Sequence, residues 1–586
     1  MVKACFLGAI ACVGLVLLTP TPAEACGGLF CDGGPTPMPV DQTGENVVFV
    51  PDRESIEVQI QIQYMGEAAK FAWVIPVLSI PTEFNIGSEL LFDNIMNASV
   101  PTYGITRQPD DCSVDDNQGF DPAGDSAGGT GAASSGDGGE GMGEPEVVIS
   151  EKPVGAFEIT VLQGGTAEEL VEWLNENGYQ QDDEAVPIFE EYLATNHAFV
   201  AIKLQNDASV EEIHPISLKF DHTEPCVPLK LTRIAAVDDM DVRTYFLSDA
   251  RVVPKNFKHV LVNPLKIDWP NQGANYKDVI RKAVDADMAN GRAWVTEYAG
   301  PSSVVLPTGL ENPAWNADAF VDSDAVSAVG QLQSQGLLTI TFDPNTGEEM
   351  CVGTNPMVDP LFRQFVLPMG VDPLAFCLDP ASFTEMIDPA QYGTGDELAQ
   401  LLEERVFAPS RHAARLLADN PYLTRMYTVI SPHEMIEDPM FHENPVLEDV
   451  AAARTGTQRI LCNGDSLWTL PDGREVYVPA NATWPDIGGD QYWEEEVSEV
   501  PPMGAPFVLV NNTEAINGLL AAYNAEVGWD GSAGNGGAES GEPDEAGDDA
   551  AGCGCRGGGP ASALWAFALL AGLGFLRAGA RSRAKC

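Results

Sequence analysis

The sequence predicts an α+β fold dominated by mostly antiparallel strands, with a few short helices, two regions and disulfide bonds. Three observations support this class. Segments in which apolar and polar residues alternate, typical of half-buried strands, recur along the chain. Helical patterns are few and short. No repeat with a fixed period of about 20–50 residues is present, which disfavours solenoids and propellers. With 586 residues, of which 44 % are hydrophobic, the chain has an ordinary globular composition.

The first region covers residues 26–300 and contains most of the predicted strands. Residues 56–64 alternate with period two, which predicts a strand with one buried and one wet face. The more apolar residues 71–76 predict a second strand that forms an antiparallel hairpin with the first. Further strands are predicted over 157–162, 199–204, 216–220, 227–235, 242–247, 259–262 and 293–298. Helices are predicted over 167–177, 187–195 and 276–288, the first with a capping box of Thr166 and Glu169.

The second region covers residues 351–525 and follows an acidic connector, residues 301–350, that has no Lys or Arg. Helices are predicted over 396–406 and 411–418, and a strand over 426–430. Residues 467–470 and 474–478 flank Pro471-Asp472-Gly473, which predicts a hairpin.

Two acidic, Gly- and Ser-rich segments interrupt and follow these regions. Residues 110–146 hold ten acidic and no basic residues and cannot bury enough apolar area to fold, so we expect a disordered surface loop. Residues 526–552 predict an acidic Gly/Ser stalk.

The first 25 residues predict a secretory signal peptide. Lys3 supplies the positive charge, residues 4–18 are apolar, and Ala23-Glu24-Ala25 matches the small-x-small cleavage pattern. A lipoprotein signal with Cys26 as the acylated first residue is the alternative. Glu24 stands where such signals usually carry a small residue, so cleavage before Cys26 is preferred.

Residues 553–586 predict a second targeting signal, at the C-terminal end of the sequence. Cys553-Gly554-Cys555 precedes an apolar, predicted transmembrane segment over 560–576, and a basic cluster follows. A plain single-pass tail anchor is one interpretation. The spacing also resembles the MYXO-CTERM sorting tag of Gram-negative surface proteins. That resemblance implies processing near Cys553 and Cys555 by a sorting protease and attachment at the cell surface or outer membrane.

The cysteines also favour export. Removing those of the signal and the tag leaves seven disulfide candidates in an oxidising compartment: Cys26, Cys31, Cys112, Cys226, Cys351, Cys377 and Cys462. Seven is odd, so one is free or pairs outside the body. Cys26 with Cys31 and Cys351 with Cys377 are the suggested pairs, although sequence alone leaves the connectivity open.

Charge restricts the partners. The net charge of −56 argues against nucleic acid and against anionic lipid surfaces, both of which need Lys and Arg. Residues 201–300 are almost neutral, with 13 basic and 14 acidic residues, whereas residues 153–202 have ten acidic and no basic ones. The latter predict either a solvated acidic face or a patch for a cationic or envelope partner.

The sequence gives only weak signals for catalytic residues. Gly464-Asp465-Ser466-Leu467 matches the nucleophile block of one family of serine esterases, but it leads into a hairpin and no His follows His442. Cys226 has no base nearby in sequence and is expected to be half of a disulfide rather than a nucleophile.

The sequence signals for metal and cofactor sites are also weak. His433, Glu434 and His442 do not have zincin spacing, because position 437 is Glu, so Glu434, Glu437, Asp438, His442 and Glu443 are expected in a solvated loop. The acidic cluster of Asp110, Asp111, Asp115, Asp116, Asn117 and Asp121 lacks EF-hand spacing and is expected to screen divalent cations weakly and nonspecifically. His197, His214, His222 and His259 are expected to be structural. No cofactor is predicted.

Several motifs resemble the bacterial domain-of-unknown-function family numbered 2330. They are Ala25-Cys26-Gly27-Gly28-Leu29-Phe30-Cys31, Phe71–Pro76, Pro228–Thr232, Arg251–Pro254, Thr296–Gly300, Pro421–Tyr427 and Ile430–Met435. The resemblance covers roughly residues 26–525, and the acidic insert is an addition to it. It implies a secreted surface protein and carries no catalytic residues.

Two functions are compatible with the sequence. The leading hypothesis is a non-catalytic, exported and surface-anchored protein of envelope structure, adhesion or recognition. The alternative is an extracellular hydrolase with a site assembled from scattered residues such as Ser466, His433 and Glu434. A histidine within about 3 Å of Ser466 in a cleft would favour the enzyme.

Overall fold

The structure is a computed structural model that describes residues 23–24, 28–30, 42–62, 72–77, 79–110, 148–179, 185–205, 212–221, 223–234, 236–343, 346–392 and 394–529. These residues lie in one compact unit, Met1–Asp530. The second unit, Gly531–Cys586, lies outside them, as do most of the predicted signal peptide, the acidic insert beyond Asp110, nearly all of the stalk, and the predicted tag. His222, Cys26, Cys31, Cys112, Cys553 and Cys555 are also outside the described residues.

The described residues form 25 strands and 12 α-helices. The strands are β1 (Ala23–Glu24), β2 (Gly28–Phe30), β3 (Gln42–Pro51), β4 (Ser55–Ile62), β5 (Ala72–Val77), β6 (Glu83–Ile86), β7 (Thr102–Pro109), β8 (Val148–Val154), β9 (Phe157–Leu162), β10 (Ala198–Leu204), β11 (Ile216–Asp221), β12 (Thr223–Glu224), β13 (Ala236–Ser248), β14 (Val252–Pro254), β15 (Lys258–Val262), β16 (Ala293–Pro301), β17 (Leu338–Phe342), β18 (Glu349–Gly353), β19 (Tyr422–Ile430), β20 (Phe441–Glu443), β21 (Ala453–Ile460), β22 (Ser466–Thr469), β23 (Glu475–Val478), β24 (Glu494–Glu499) and β25 (Phe507–Asn511). The helices are α1 (Glu89–Ser99), α2 (Ala167–Glu176), α3 (Val186–Ala194), α4 (Leu229–Thr232), α5 (Tyr276–Val284), α6 (Ala325–Ser334), α7 (Val358–Leu361), α8 (Pro373–Leu378), α9 (Pro389–Tyr392), α10 (Gly395–Leu402), α11 (Ala408–Asp419) and α12 (Thr513–Glu526).

Three larger sheets organise the described strands. A ten-stranded sheet has the order β25-β24-β15-β16-β19-β13-β3-β4-β11-β6, a five-stranded sheet the order β2-β5-β10-β9-β8, and a four-stranded sheet the order β23-β22-β21-β7. The described pairings are antiparallel except for four: β1–β12, β3–β13, β15–β16 and β7–β21. The predicted α+β class, rich in mostly antiparallel sheet, is confirmed.

The ten-stranded and five-stranded sheets enclose the main core between them. Alternate residues of β4, such as Ile56 and Ile60, pack in the same cluster as Trp73 of β5 and Ile202 of β10. Because side chains alternate along a strand, the opposite face of each sheet needs its own cover. Helices α2 and α3 cover the five-stranded sheet, and α1, α5 and α11 cover the ten-stranded sheet, so four layers result.

Strands from distant parts of the chain are neighbours in the ten-stranded sheet. β19 lies between β13 and β16, and β24 pairs with β15. The residues predicted as the first and second regions thus share one sheet, while the domain boundaries themselves stay a prediction. The segment predicted as a connector carries α6 and β17.

Several local predictions are confirmed. The capping box of Thr166 and Glu169 is formed at the start of α2, with both reciprocal hydrogen bonds present. Helix α3 and strand β10 lie close to their predicted bounds. The hairpin around Pro471-Asp472-Gly473 is formed by β22 and β23.

Other local predictions are wrong. The strands over 56–64 and 71–76 do not form a hairpin, because β4 pairs with β3 and β11 while β5 pairs with β2 and β10 in the facing sheet. The strand predicted over 227–235 is a short helix, α4, which begins after Pro228. Helix α5 ends at Val284, and Met288, predicted on its buried stripe, is 48 % exposed.

The predicted wet face of β4 is also wrong, since it is covered. Gln59 is 1 % exposed, its amide donates to Glu57 at 2.8 Å, and its carbonyl oxygen accepts from the Ser88 amide at 3.3 Å. Internal hydrogen bonds of this kind replace those that water would make.

A separate helical cluster of residues 320–407 contains the disulfide Cys351–Cys377, as predicted. We expect the double substitution C351A/C377A to lower the free energy of unfolding of this cluster by about 3–4 kcal/mol, because the bond closes a loop with a sequence separation of 26. Trp315, which stacks on Phe407 with ring centroids 5.1 Å apart, reports the transition by fluorescence in a urea titration. An unchanged midpoint would contradict the expectation.

Candidate functional site

A cleft of about 670 Å³ lies between two separate segments of the chain. The first wall is the turn region after β15, which contributes Lys266, Asp268, Asn271 and Asn275. Two proline-containing 3-10 turns shape this wall, and Asn275 fixes it by accepting from the Asp268 amide at 2.9 Å and donating to the Lys266 carbonyl at 2.8 Å. Such cross-links hold the polar side chains of the wall in place.

The second wall is formed by the hairpin β22–β23 and the loop after it. Ser466 and Trp468 come from β22, and residues 479–486, including Trp484, come from the loop. Trp484 is half-buried; it packs edge-to-face against Trp468 with centroids 5.4 Å apart, and its Nε1 donates to the Leu265 carbonyl at 3.1 Å. This bond ties the second wall to the first.

Lys266 holds the floor of the cleft together. Its side chain is 3 % exposed, and Nζ donates to the carbonyls of Ile487, at 2.9 Å, and Gly489. Asp486 lies 3.5 Å from the same ammonium. Burial lowers the pKa of Lys266, and the charge of Asp486 acts in the opposite direction. The Lys266 ammonium therefore uses its donors within the protein and has none free for a ligand.

Trp493 lies beside Lys266. The Lys266 Nζ is 4.9 Å and the Lys282 Nζ 3.9 Å from the centroid of its ring, and its Nε1 donates to Asp490 at 3.1 Å. These cation–π contacts orient the indole. Of the described side chains that line the cleft, only Lys266, Asp268 and Asp486 are ionisable, and together they give a slightly negative formal charge.

Ser466 lines this cleft, but its surroundings do not resemble those of a nucleophile. Its hydroxyl oxygen accepts from Trp468 Nε1 at 3.1 Å, and in the part of the chain that the structure describes no histidine lines the cleft. The other residues of the hydrolase alternative, His433 and Glu434, do not line it. Glu434 instead caps its own 3-10 turn by accepting from the Ser431 amide at 2.8 Å.

A second group of ionisable side chains lies under α11. The Glu57 carboxylate accepts from His412 Nε2 at 2.8 Å, from Ser217 Oγ at 2.9 Å and from Gln59. Burial raises the pKa of Glu57, but the hydrogen bond and charge of His412 outweigh it and hold the pKa below the usual value. The carboxylate lies between the hydroxyl and the imidazole, so the arrangement is not the Ser–His pair of a hydrolase.

Two of the motifs quoted for the DUF2330 resemblance, Thr296–Gly300 and Pro421–Tyr427, meet in a buried network. Arg425 Nε donates to Glu297 at 2.5 Å, and the two side chains are 5 % and 2 % exposed. Arg425 also donates to the Met96 carbonyl at 3.1 Å. Nearby, Arg454 donates to the Tyr103 hydroxyl at 2.6 Å. None of these residues lines the cleft.

The residues predicted as a solvated loop have individual protein partners. Glu437 accepts from Asn256 at 2.9 Å, Asp438 accepts from Tyr192 at 2.7 Å, and His442 contacts the Val500 carbonyl at 3.0 Å. Glu443 accepts from the Asp249 amide at 3.1 Å. Among the described residues, no group of three or more His, Cys, Asp or Glu is arranged to hold a metal ion.

Three predicted structural histidines are buried and hydrogen-bonded. His197 Nδ1 lies 2.8 Å from Thr195 Oγ1, His214 Nδ1 lies 2.9 Å from the Pro215 carbonyl, and His259 Nε2 lies 2.8 Å from Thr296 Oγ1. Burial lowers the pKa of His197 and of His214 to about 4, and that of His259 to about 3.

Cys226 and Cys462 are disulfide-bonded, which confirms the expectation that Cys226 is half of a disulfide. The suggested Cys26–Cys31 pair lies outside the described residues.

No helix in the described ranges has the length and apolar character needed to cross a membrane. The segment 560–576 is not among those ranges.

Sequence reasoning did not find the cleft or the pair of Glu57 and His412. The cleft joins residues 265–275 with residues 458–493, which no local pattern connects. The available signal was compositional: Trp484-Pro485 and Trp493 lie in a loop rich in Pro, Asn and Gly after a hairpin, where function commonly resides.

Comparisons with known proteins give a family but no activity. The family model described as "Uncharacterized protein conserved in bacteria (DUF2330)" matches residues 20–309. No curated protein matches the chain. The match includes the first wall of the cleft and ends before the second. The resemblance expected for residues 310–525 stays a prediction.

Two solved structures of a mutated baculovirus P35 after caspase cleavage show a weak similarity. They are 9 % and 8 % identical to this chain, cover 38 % and 37 % of it and 77 % and 76 % of their own chains, and have TM-scores of 0.21 and 0.19. At these scores they carry no conclusion about fold or function. Residues 20–309 of this chain are thus similar to the bacterial DUF2330 family.

Proposed function

We propose that this protein is an exported, surface-anchored recognition protein that binds its ligand non-covalently in the cleft. The observation that carries the proposal is the cleft itself: about 670 Å³, lined by indole, amide, hydroxyl and carboxylate groups, with no histidine among the described residues that line it. Its volume lies within the roughly 300–1,000 Å³ of typical ligand sites. The partner is an envelope component.

Binding is favoured over hydrolysis by the roles already taken by the polar groups. Ser466 Oγ accepts from an indole, and the Lys266 ammonium is committed to backbone carbonyls. A serine hydrolase needs a base that removes the hydroxyl proton and donors that bind the oxyanion. The cleft supplies fixed walls instead, and walls that are ordered before binding reduce the entropy lost when a ligand binds.

We expect Trp484→Ala to weaken binding of the purified full chain to isolated cell envelopes by at least tenfold in a co-sedimentation titration. The indole is the largest side chain of residues 479–486 and is half-buried, so it offers this wall's largest single apolar surface. Ala482→Tyr, which fills the cleft from an exposed position without removing a contact, should weaken binding similarly.

Trp315→Phe is the matched control, because Trp315 stacks on Phe407 in the helical cluster and does not line the cleft. It should bind envelopes as the wild type does. Envelope binding that neither cleft variant alters would overturn the proposal. Release of soluble envelope fragments that Ser466→Ala abolishes would favour the hydrolase.

Surface anchoring is supported by the sequence of residues 526–586: an acidic stalk, Cys553 and Cys555, an apolar segment and a basic end. We expect C553A/C555A to abolish surface retention, measured by labelling intact cells with a membrane-impermeant reagent. A sorting protease that acts near these cysteines is the implied partner. Unchanged labelling would contradict the sorting tag and leave the plain tail anchor.

A further inference from the structure

We infer that the ligand of the cleft is an uncharged carbohydrate, and that Trp484 is the surface on which one sugar ring packs. The inference rests on the proposed recognition function and names its ligand class.

Charge excludes anionic ligands first. An anion in a water-poor site needs a cation or several free donors. Lys266 is the one cation among the described residues that line the cleft, and its three protons face two carbonyls and Asp486. Asp268 and Asp486 make the lining net negative. Phosphorylated, sulfated or uronic-acid ligands would therefore face carboxylates without a free cation to bind.

The available polar groups suit hydroxyls. Within the described part of the chain, the side chains of Asn481 and Thr483 have no protein hydrogen-bond partner, and both are exposed at the loop wall. Asn271 uses its amide nitrogen to bind Asp268 at 2.9 Å, which leaves its carbonyl oxygen to accept. Amide and hydroxyl groups both donate and accept, as sugar hydroxyls do.

The aromatic group suits a sugar ring. One face of a pyranose presents C–H groups that pack on an aromatic surface, while the ring hydroxyls project sideways to polar groups. Trp484 is half-buried in the cleft and is fixed by its hydrogen bond to Leu265 and by its edge-to-face contact with Trp468. Amide and hydroxyl groups of the same loop, from Asn481 and Thr483, stand beside it.

The test uses envelopes whose carbohydrate or protein has been destroyed selectively. Periodate cleaves the vicinal diols of sugars; after it is quenched, the wild-type full chain should bind the treated envelopes at least tenfold more weakly than mock-treated ones. Envelopes digested with protease, then washed, should bind the chain as before. Trp484→Ala and Ala482→Tyr should show weak binding to all of these preparations.

Each outcome is decisive. Loss of Trp484-dependent binding after periodate, and its retention after protease, supports the carbohydrate. If binding is lost after protease treatment and retained after periodate treatment, the carbohydrate inference is overturned. The proposed recognition function of the cleft would still stand. Binding that the cleft variants never altered would instead reject the proposed function itself. As a direct measurement, calorimetry with neutral hexasaccharides released from the envelope should give a Kd that Trp484→Ala raises at least tenfold and Trp315→Phe leaves unchanged.

Discussion

Replacing Arg425 with methionine is expected to lower the free energy of unfolding by about 3–5 kcal/mol, because it leaves the Glu297 carboxylate buried without its cation. The two side chains are 5 % and 2 % exposed, and the Arg425 guanidinium also bonds the Met96 carbonyl and lies 5.5 Å from the Tyr245 ring centroid. Urea unfolding of the full chain, followed by far-UV circular dichroism, measures the change.

Two companion variants separate charge burial from packing. Glu297→Leu with Arg425→Met removes both charges and should recover most of the loss, since a buried pair can be replaced by apolar groups at little expense in stability. Lys219→Met breaks an exposed pair with Glu83, at 3.4 Å, and should change stability by less than about 1 kcal/mol. An Arg425→Met variant as stable as Lys219→Met would contradict the expectation.

Acidification is expected to destabilise the fold through His197, His214 and His259. Their pKa values in the folded protein are about 4, 4 and 3, because burial disfavours the charged ring, and Lys230, Arg405 and Arg251 respectively act in the same direction. The unfolded value is about 6.5, so the unfolded chain binds more protons below that pH. Stability is therefore full above pH 6.5 and falls toward pH 4, by about 2–3 kcal/mol for each histidine.

Single substitutions isolate this effect from carboxylates that act in the opposite direction. The pKa of Glu89 and that of Asp285 are both raised to about 6, first by burial, and each favours the folded state as the pH falls below 6. His259→Asn should flatten the dependence of unfolding free energy on pH between 6.5 and 4, whereas His433→Gln, at an exposed position, should not. Equal slopes for these two variants would contradict the assignment.

Local signals in this sequence predicted local structure well. The Thr166–Glu169 capping box depends on residues three apart, and the hairpin at Gly473 on a turn that joins its own strands, so each forms as its pattern indicates. Pairing between distant strands has no such signal. The hairpin of β4 with β5 failed because adjacency in sequence favours it, while the apolar faces of both strands are better buried when the strands lie in facing sheets.

The lack of a local signal for long-range contacts also explains why the sequence did not predict the cleft. Ser466 was selected by a short motif and does line the cleft, but its neighbours Asp268 and Lys266 come from a segment about 200 residues earlier, and only tertiary structure joins them. The polar side chains of β4 predicted contact with water. Glu57 instead binds His412 of α11 and Ser217 of β11, and Gln59 binds Glu57 and the Ser88 amide. The alternation of apolar and polar residues shows that the two faces of a strand differ. It does not show whether water or protein covers the polar face.

The order of strands in the ten-stranded sheet also bears on how the chain folds. Thr244 of β13 pairs with Met426 of β19 and with Val47 of β3, so the centre of the sheet joins segments from both ends of the described chain. Pairings of such long range give a high contact order, and loop closure must precede them, which slows folding. Until β19 has been synthesised, β13 has an unpaired edge that can join another chain. Newly made protein is therefore expected to need a holding chaperone until residue 430 is available, a requirement that the finished sheet no longer has.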